Sequence, residues 1–185
     1  MRSLVVFNQV SLDGYIADAK GDMSWAHKQD DEWNTFVAGN AKGDAVLVFG
    51  RVTYEMMARW WPTPQAIQSM PTVADAMNRF PKVVFSRTLD HASWNNTRLV
   101  KGDMLAEIRK LKRESGPDLL IFGSGTVVSQ LTQAGLIDEY QIVVNPVILG
   151  AGKSMFAGVT EKPVMKQTKT RAFGNGNVFL CYQKM

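Results

Sequence analysis

Three short segments place glycine, hydroxyl and guanidinium groups directly after apolar, strand-like runs. They are Phe49-Gly50-Arg51-Val52-Thr53, Ser86-Arg87-Thr88 and Gly123-Ser124-Gly125-Thr126. Glycine lets a ligand approach the backbone, a helix N-terminus offers unpaired N–H groups, and arginine adds a fork that matches phosphate oxygens. Each segment alone is typical of ordinary turns or solvated surface. Ligands of open α/β sheets bind at the carboxyl ends of the strands, so the recurrence predicts a site for a phosphate-bearing ligand.

The second segment indicates which phosphates are involved. Ser86 and Arg87 supply a hydroxyl and a guanidinium suited to the 2′-phosphate that distinguishes NADP from NAD. The third segment, at a predicted strand-to-helix turn, is suited to a pyrophosphate. The GxGxxG fingerprint of the Rossmann fold does not occur in the sequence, which argues against an ordinary dehydrogenase.

The elements that must position these segments alternate along the chain. Apolar, β-branched runs predict strands at Leu4–Val10, Ala45–Phe49, Lys82–Ser86, Leu119–Phe122, Tyr140–Val144 and Val178–Tyr182. Helical patterns occur at Asp30–Ala38, Thr53–Ala58, Thr72–Arg79, Met104–Glu114 and Thr126–Ala134. Parallel neighbours need crossover helices, so we predict an α/β fold with a mostly parallel sheet and an antiparallel C-terminal strand. Arg59–Met70 shows no clear period and predicts an irregular loop.

Length and composition restrict the class of protein. The 185 residues, 45% hydrophobic and 21% charged, predict a single globular domain over residues 1–185. Without a long apolar run or an export signal, we expect a cytoplasmic protein that does not enter membranes. The net charge of +4 comes from basic residues interleaved with acids, which argues against nucleic-acid binding. The two histidines and the single cysteine stand apart, so we expect no metal site.

Four motifs together resemble the dihydrofolate reductase superfamily. They are Ser11–Ala17, Gly50–Glu55, Val84–Thr88 and Ile121–Thr126. The resemblance covers nearly the whole chain and is closest to the branch that contains the C-terminal reductase domain of the riboflavin-biosynthesis deaminase-reductase, to which Asn145–Gly152 is also similar. It implies a dihydrofolate-reductase-like three-layer fold, a homodimer and NADPH as the cofactor.

The resemblance also implies roles for individual residues. Ile16 and Ala17 would lie beside the nicotinamide, while Met23 and Trp25 would lie in a mobile loop over the substrate. The cofactor phosphates would contact residues of the three segments described above, namely Gly50, Arg51, Thr53, Ser86, Arg87, Gly123, Ser124, Gly125 and Thr126.

A catalytic carboxylate is expected near the start of the first helix. In dihydrofolate reductases an acid follows the loop tryptophan, and the same interval counted from Trp25 leads to Asp30, with Asp31 beside it. Counting back from Gly50 leads nearer to Asn34. Such an acid would help to protonate a ring nitrogen during reduction. The acidic run serves equally well as an N-cap with favourable first-turn charge.

Three departures from the dihydrofolate reductase pattern bear on the substrate. Ser124 replaces the second of two adjacent glycines, and Val128 replaces a characteristic tyrosine. Val144 falls about where dihydrofolate reductases have a threonine that contacts the pterin. We therefore expect an enzyme similar to 5-amino-6-(5-phosphoribosylamino)uracil reductase, acting on a pyrimidine, a pterin or a related small molecule. The alternatives are an authentic dihydrofolate reductase and a nucleotide-binding module without catalysis.

Overall fold

The structure, a computed structural model, describes residues 1–28 and 30–185, which form ten strands and six α-helices. The strands are β1 (Leu4–Ser11), β2 (Tyr15–Asp18), β3 (Val46–Gly50), β4 (Lys82–Phe85), β5 (Thr97–Val100), β6 (Leu119–Phe122), β7 (Glu139–Asn145), β8 (Gly152–Ser154), β9 (Met165–Ala172) and β10 (Val178–Lys184). The helices are α1 (Asp31–Asn40), α2 (Arg51–Trp60), α3 (Pro64–Ser69), α4 (Pro71–Arg79), α5 (Met104–Arg113) and α6 (Gly125–Gln133). A short 3-10 helix, Ser24–Ala26, precedes α1.

Eight of the strands form one sheet in the order β5-β4-β3-β6-β1-β7-β10-β9. The six strands from β5 to β7 run parallel. β10 is antiparallel to β7, and β9 is antiparallel to β10. β2 and β8 form a separate antiparallel pair. The predicted mostly parallel sheet with antiparallel C-terminal strands is therefore confirmed.

Helices cover both faces of the sheet, because the parallel strands carry apolar side chains on both faces. On one face the core includes Ile108 of α5 and Leu131 of α6. On the other face Met77 of α4 and Val37 of α1 pack with Phe49 of β3. These contacts give three layers, with the sheet in the middle. Within the described part of the chain, no helix is both long enough and apolar enough to cross a bilayer.

The prediction of an irregular loop over Arg59–Met70 was wrong, since α3 lies inside it. Pro64 occupies the first turn of α3, where its missing N–H costs nothing. The Thr63 hydroxyl accepts a hydrogen bond from the Ala66 N–H at 3.2 Å and caps the helix. A six-residue helix is too short to show a hydrophobic period, so only its capping signals could have indicated it.

The strands β2, β5, β8 and β9 were not predicted from the sequence. β9 is the clearest case, because all but one of its eight residues are exposed and it carries lysine, threonine and arginine rather than an apolar pattern. It is a strand because its backbone pairs with β10 along its whole length. Pairing of this kind is decided by tertiary context rather than by local propensity.

One buried cation closes the end of a helix. Lys82, 1% exposed, donates hydrogen bonds from Nζ to the carbonyl oxygens of Asn78 at 3.0 Å, Phe80 at 2.7 Å and Asn95 at 3.2 Å. Two of these carbonyls belong to the C-terminal end of α4. The Nζ also lies 4.4 Å from the centre of the Trp94 ring. Burial lowers the pKa of Lys82 to about 8.

Candidate functional site

Two of the predicted phosphate-binding turns lie in direct contact. The turn from β3 to α2 contains Gly50, and the turn from β6 to α6 contains Gly123 and Ser124. A Cβ atom added to Gly50 would overlap the Ser124 Oγ, and one added to Gly123 would lie 2.8 Å from the Thr53 Oγ1. Glycine is therefore needed at both positions for the turns to approach this closely. β3 and β6 are neighbouring parallel strands, so the contact lies at their carboxyl ends.

The helices that begin at these turns have N-termini without side-chain caps. α2 starts after Gly50 and α6 starts after Ser124, and among the described residues no side chain caps either helix. Gly123 and Ser124 both have left-handed backbone conformations, with φ of 60° and 50°, and the peptide bond between them is trans. A non-glycine residue with positive φ is uncommon and is often found at functional sites. Backbone N–H groups exposed in this way can bind an anion.

The pair β2 and β8 lies against the start of α6. A Cβ atom added to Gly125 would lie 2.7 Å from the Ser154 carbonyl oxygen and 3.3 Å from the Ile16 Cδ1. Ile16 and Ala17 are both largely buried, at 9% and 6% exposure. The structure thus brings Ile16 to the glycine turn, although the predicted contact of Ile16 and Ala17 with a nicotinamide stays a prediction.

The predicted phosphate-binding arginines lie on the surface. Arg51, the first residue of α2, is exposed and forms an ion pair with Glu55 at 3.1 Å. Ser86 follows β4, the neighbour of β3, and its Oγ accepts hydrogen bonds from the N–H groups of Thr88 at 3.2 Å and Leu89 at 2.9 Å. Arg87 is exposed beside it. Both arginines are exposed at the carboxyl edge, and Arg51 would have to leave Glu55 to contact a phosphate.

The acidic residues before α1 have defined structural roles. The Asp30 carboxylate caps α1 by accepting the Trp33 N–H at 2.6 Å, and Asp31 is exposed in the first turn. Glu32 accepts hydrogen bonds from Arg171 at 2.9 Å and from the Gly174 N–H at 3.1 Å, which lower the pKa of Glu32. The capping interpretation of Asp30 is therefore observed, while a catalytic role for Asp30 or Asp31 stays a prediction.

Met23 and Trp25 lie in and beside the 3-10 helix and are partly buried. The Trp25 Nε1 donates to the carbonyl oxygen of Asp22 at 3.1 Å. The Asp22 carboxylate accepts the Ser24 hydroxyl at 2.5 Å, and this hydrogen bond lowers the pKa of Asp22. These local contacts shape the loop, and its predicted contact with a substrate stays a prediction.

The central strands are less covered on the face where α1 packs. Phe7 and Gln9 of β1 and Phe122 of β6 are only half-buried, although they lie in the middle of the sheet. On the opposite face their neighbours Asn8 and Ile121 are buried. Central side chains become accessible only where the covering helices leave a gap. We call this surface of Phe7, Gln9 and Phe122 the open floor.

One side of α2, the side that carries Thr53, has exposed apolar residues. Met56 and Trp60 are 42% and 40% exposed and lie three and seven residues after Thr53, on the same face of the helix. Thr53 contacts the Gly123 turn, so this face is directed toward the centre of the sheet. A separate groove of about 370 Å³ lies beside Tyr54, on the other side of α2, and contains no residue of the glycine turns.

Sequence reasoning missed the polar residues of β1 at this edge. The Asn8 Oδ1 accepts the Gly123 N–H at 2.6 Å and fixes the turn. Gln9 forms part of the open floor and bonds to Asn145 of β7 at 3.2 Å. The available signal was two consecutive polar residues in a strand that should be buried on both faces.

Comparison with known proteins assigns the chain to a protein family. The RibD C-terminal domain family matches residues 2–179. The protein YyaP of Bacillus subtilis, itself uncharacterised, is 27% identical over 181 residues, covering 98% of this chain and 94% of YyaP.

Solved structures are similar over the full chain. A putative riboflavin biosynthesis protein of Shewanella has a TM-score of 0.74 and 25% identity, and the match covers 99% of each chain. Dihydrofolate reductase of Enterococcus faecalis, complexed with NADP(H), has a TM-score of 0.65 and 16% identity, covering 98% of this chain and 96% of that one. A deaminase and 5-amino-6-(5-phosphoribosylamino)uracil reductase of Thermotoga maritima has a TM-score of 0.67 and 19% identity, covering 100% of this chain and 57% of that one.

These similarities confirm the fold and the family that the sequence motifs indicated. The three-layer architecture is dihydrofolate-reductase-like, with the two glycine turns at the carboxyl edge of the sheet. The match to the family spans both turns and the open floor. The chain therefore belongs to the family of the RibD C-terminal domain.

Proposed function

We propose that this protein is an NADPH-dependent reductase of the riboflavin-biosynthesis type, acting on a pyrimidine, a pterin or a related small molecule. The family and its reductase-type relatives support an oxidoreductase. A substrate similar to 5-amino-6-(5-phosphoribosylamino)uracil is the finer proposal, because a deaminase and reductase of Thermotoga maritima that acts on this compound has the same fold over 57% of its chain.

The observation that supports the cofactor most directly is the contact between the two glycine turns. Gly50 and Gly123 let the two turns approach each other closely, and as a result two uncapped helix N-termini begin side by side. Backbone N–H groups at helix N-termini favour phosphate oxygens. Arg51 and Arg87 stand at the same edge of the sheet and can add charge-assisted hydrogen bonds. The residues present therefore fit a dinucleotide with an additional phosphate.

The roles of the chain's own residues follow from this arrangement. The N–H groups at the start of α2 and α6 would bind phosphate oxygens, and Ile16 would pack against the nicotinamide. The bound cofactor supplies the hydride. Phe7 and Phe122, whose ring centres lie 5.8 Å apart, would hold a planar substrate and exclude water from it.

The test is the binding of NADPH and NADH to the parent protein and to an Arg87→Ala variant, followed by fluorescence. Loss of one charge-assisted contact should weaken NADPH binding about tenfold, while NADH binding stays unchanged. Arg109→Ala, an exposed arginine on α5, is the matched control. Failure of the parent to bind either dinucleotide would contradict the proposal, and NADPH binding without turnover of any candidate substrate would favour the nucleotide-binding module.

We also propose that the protein forms a homodimer. The edge strand β9 exposes Lys166, Lys169 and Arg171, and charged side chains on an edge strand disfavour pairing between sheets. The dimer would therefore use another surface. Sedimentation equilibrium checks this, since a single species with the 20.6 kDa mass of one chain would contradict it.

A further inference from the structure

Gln9 occupies a defined position in the open floor, next to the glycine turn of β6. The preceding residue, Asn8, bonds to the Gly123 N–H at 2.6 Å. Successive side chains of a strand point to opposite faces, so Gln9 projects from the other face at the level of this turn. Phe7, two residues earlier and on the same face as Gln9, pairs with Phe122 in the sheet register. Gln9 therefore lies on the same face as the aromatic part of the floor, one residue beyond the level of the glycine turn.

The amide of Gln9 is held in one orientation by Asn145. Asn145 is fully buried, and its Nδ2 donates to the carbonyl oxygens of Val10 and Val143, each at 3.3 Å. Backbone carbonyls can only accept, so Asn145 must turn its Nδ2 toward them. The same Nδ2 meets the Gln9 Oε1 at 3.2 Å. The Gln9 Nε2 is then left as the free end of the side chain, and it has no hydrogen-bond partner among residues 1–28 and 30–185.

Two carboxylates at the start of α1, the helix that packs against Phe7 on this face, are engaged in contacts within the protein. The Asp30 carboxylate caps α1, and Glu32 is paired with Arg171. Asn34, the residue that counting back from Gly50 approaches, carries an amide rather than a carboxylate, and its Oδ1 is buried. Phe7 and Phe122 make the rest of the open floor apolar. An apolar surface with one amide donor is unsuited to an ionised ring, because burying a charge without a partner is costly.

We infer that the Gln9 Nε2 donates a hydrogen bond to a carbonyl oxygen of an uncharged heterocyclic substrate, and that Asn145 is the positioning residue that sets this polarity. This inference rests on the proposed function, since it places the substrate ring on the floor beside the cofactor site. It assigns Gln9 as a specificity-determining residue that distinguishes a ring carbonyl from a ring amino group.

The test compares two probes that are uncharged at neutral pH, 6-aminouracil with ring carbonyls and 2-aminopyrimidine with an amino group in place of a carbonyl. Calorimetric titrations are carried out on the parent with and without saturating NADPH. The parent should bind 6-aminouracil about tenfold more tightly, as expected for one donor that finds an acceptor in only one of the probes. Gln9→Glu, which replaces the donor by a carboxylate, should reverse the preference. Gln9→Met, which has similar size and no donor, should abolish it.

Asn145→Leu tests the positioning role. It should reduce the preference to less than about threefold by letting the Gln9 amide rotate, while leaving the NADPH affinity unchanged. If Asn145 had a purely structural role, Asn145→Leu would weaken the binding of both pyrimidine probes to the same extent, and the ratio of their affinities would not change. Gln167→Glu, on the exposed strand β9, is the control for added charge and should preserve the preference. If the buried Asn145→Leu variant does not fold, Gln9→Met decides the question, since Gln9 is only half-buried.

The outcomes separate this inference from the proposed function. A parent that does not bind 6-aminouracil, a parent without preference, or a Gln9→Met variant that keeps the preference overturns the inference, even where NADPH binds. Failure to bind NADPH together with the expected probe preferences would instead overturn the cofactor assignment and leave the role of Gln9 standing.

Discussion

Two pairs of helix N-termini in this molecule differ in how their N–H groups are satisfied. At α1 and α5 an aspartate closes the helix: Asp30 accepts the Trp33 N–H, and Asp103 accepts the N–H groups of Leu105 at 2.8 Å and Ala106 at 3.1 Å. At α2 and α6, Gly50 and Ser124 stand in the capping position, and no described side chain closes either helix.

The candidate site lies where two helices begin without the stabilisation that a capping side chain supplies. A capping side chain typically contributes about 1 kcal/mol to stability. α2 and α6 lack such a cap, begin after neighbouring strands and have turns that touch. α4 also has no capping side chain, but it begins with Pro71, which has no N–H to satisfy. The N–H groups of α2 and α6 remain available to an anionic ligand, whereas those of α1 and α5 are used within the protein.

The largest expected effect comes from adding a methyl group where the two uncapped turns touch. Gly50→Ala places a methyl group against the Ser124 Oγ and the Val127 side chain, so we expect NADPH binding to weaken at least about tenfold and stability to fall by about 1–3 kcal/mol. Gly39→Ala on α1 has open space around its Cβ and should raise stability by about 0.5–1 kcal/mol. Equal behaviour of the two variants in denaturant titrations and NADPH binding would remove the basis of the comparison.

Lys82 allows the same comparison at a helix C-terminus, because its Nζ donates hydrogen bonds to carbonyl oxygens at the end of α4. Lys82→Met leaves three carbonyls without their donor, one of them buried and two partly buried, and we expect a loss of about 1–3 kcal/mol in the free energy of unfolding at neutral pH. NADPH affinity should not change, because Lys82 lies outside the glycine turns. A variant as stable as the parent would show that water satisfies these carbonyls.

The pH dependence of the same pair of proteins gives a second measurement. The pKa of Lys82 is about 8 in the folded protein, below its usual value of 10.5, so the unfolded chain holds more protons between these values. Relative to Lys82→Met, the parent should become more stable as the pH rises from 8 to 10.5 and lose that gain as the pH falls through 8. Parallel stability curves for the two proteins would contradict this expectation.

Substitutions of Asp30 distinguish its role as the N-cap of α1 from a catalytic role. Asp30→Ala should cost about 1 kcal/mol through loss of the cap, whereas Asp30→Asn should keep the stability, since asparagine caps equally well. If Asp30 is also the general acid, Asp30→Asn lowers turnover by about 10²–10⁴-fold. An unchanged rate in the stable Asn variant would leave Asp30 with the capping role alone.

Ser124 should give the smallest effect and the opposite sign. Its φ of 50° is unfavourable for a residue with a Cβ, and Ser124→Gly should raise stability by up to about 1 kcal/mol. No cap is lost, because the Ser124 side chain does not cap α6. A thermal unfolding experiment that shows destabilisation would mean that the Ser124 hydroxyl holds the turn together.

Residues with strong local signals allowed much of the fold to be predicted. Apolar runs such as Leu119–Phe122 were identified because a strand buried on both faces needs them. β9 and α3 were missed, the first because its pairing with β10 overrides its polar sequence, and the second because it is too short to show a period. At the site, the glycine turns were predicted from residue type, whereas Gln9 was not, since its role depends on the distant Asn145.

The order of the main strands and helices could be predicted from the sequence alone. So could the positions of the glycine turns and the family of the protein. These features depend on neighbouring residues and on motifs that are local in the chain. The tertiary structure was needed to show that Gly50 meets Ser124, that α2 and α6 begin without caps at one edge, and that the Gln9 Oε1 accepts a hydrogen bond from Asn145. Each of these depends on contacts between residues far apart in the sequence, and such contacts form only when the sheet brings its strands together.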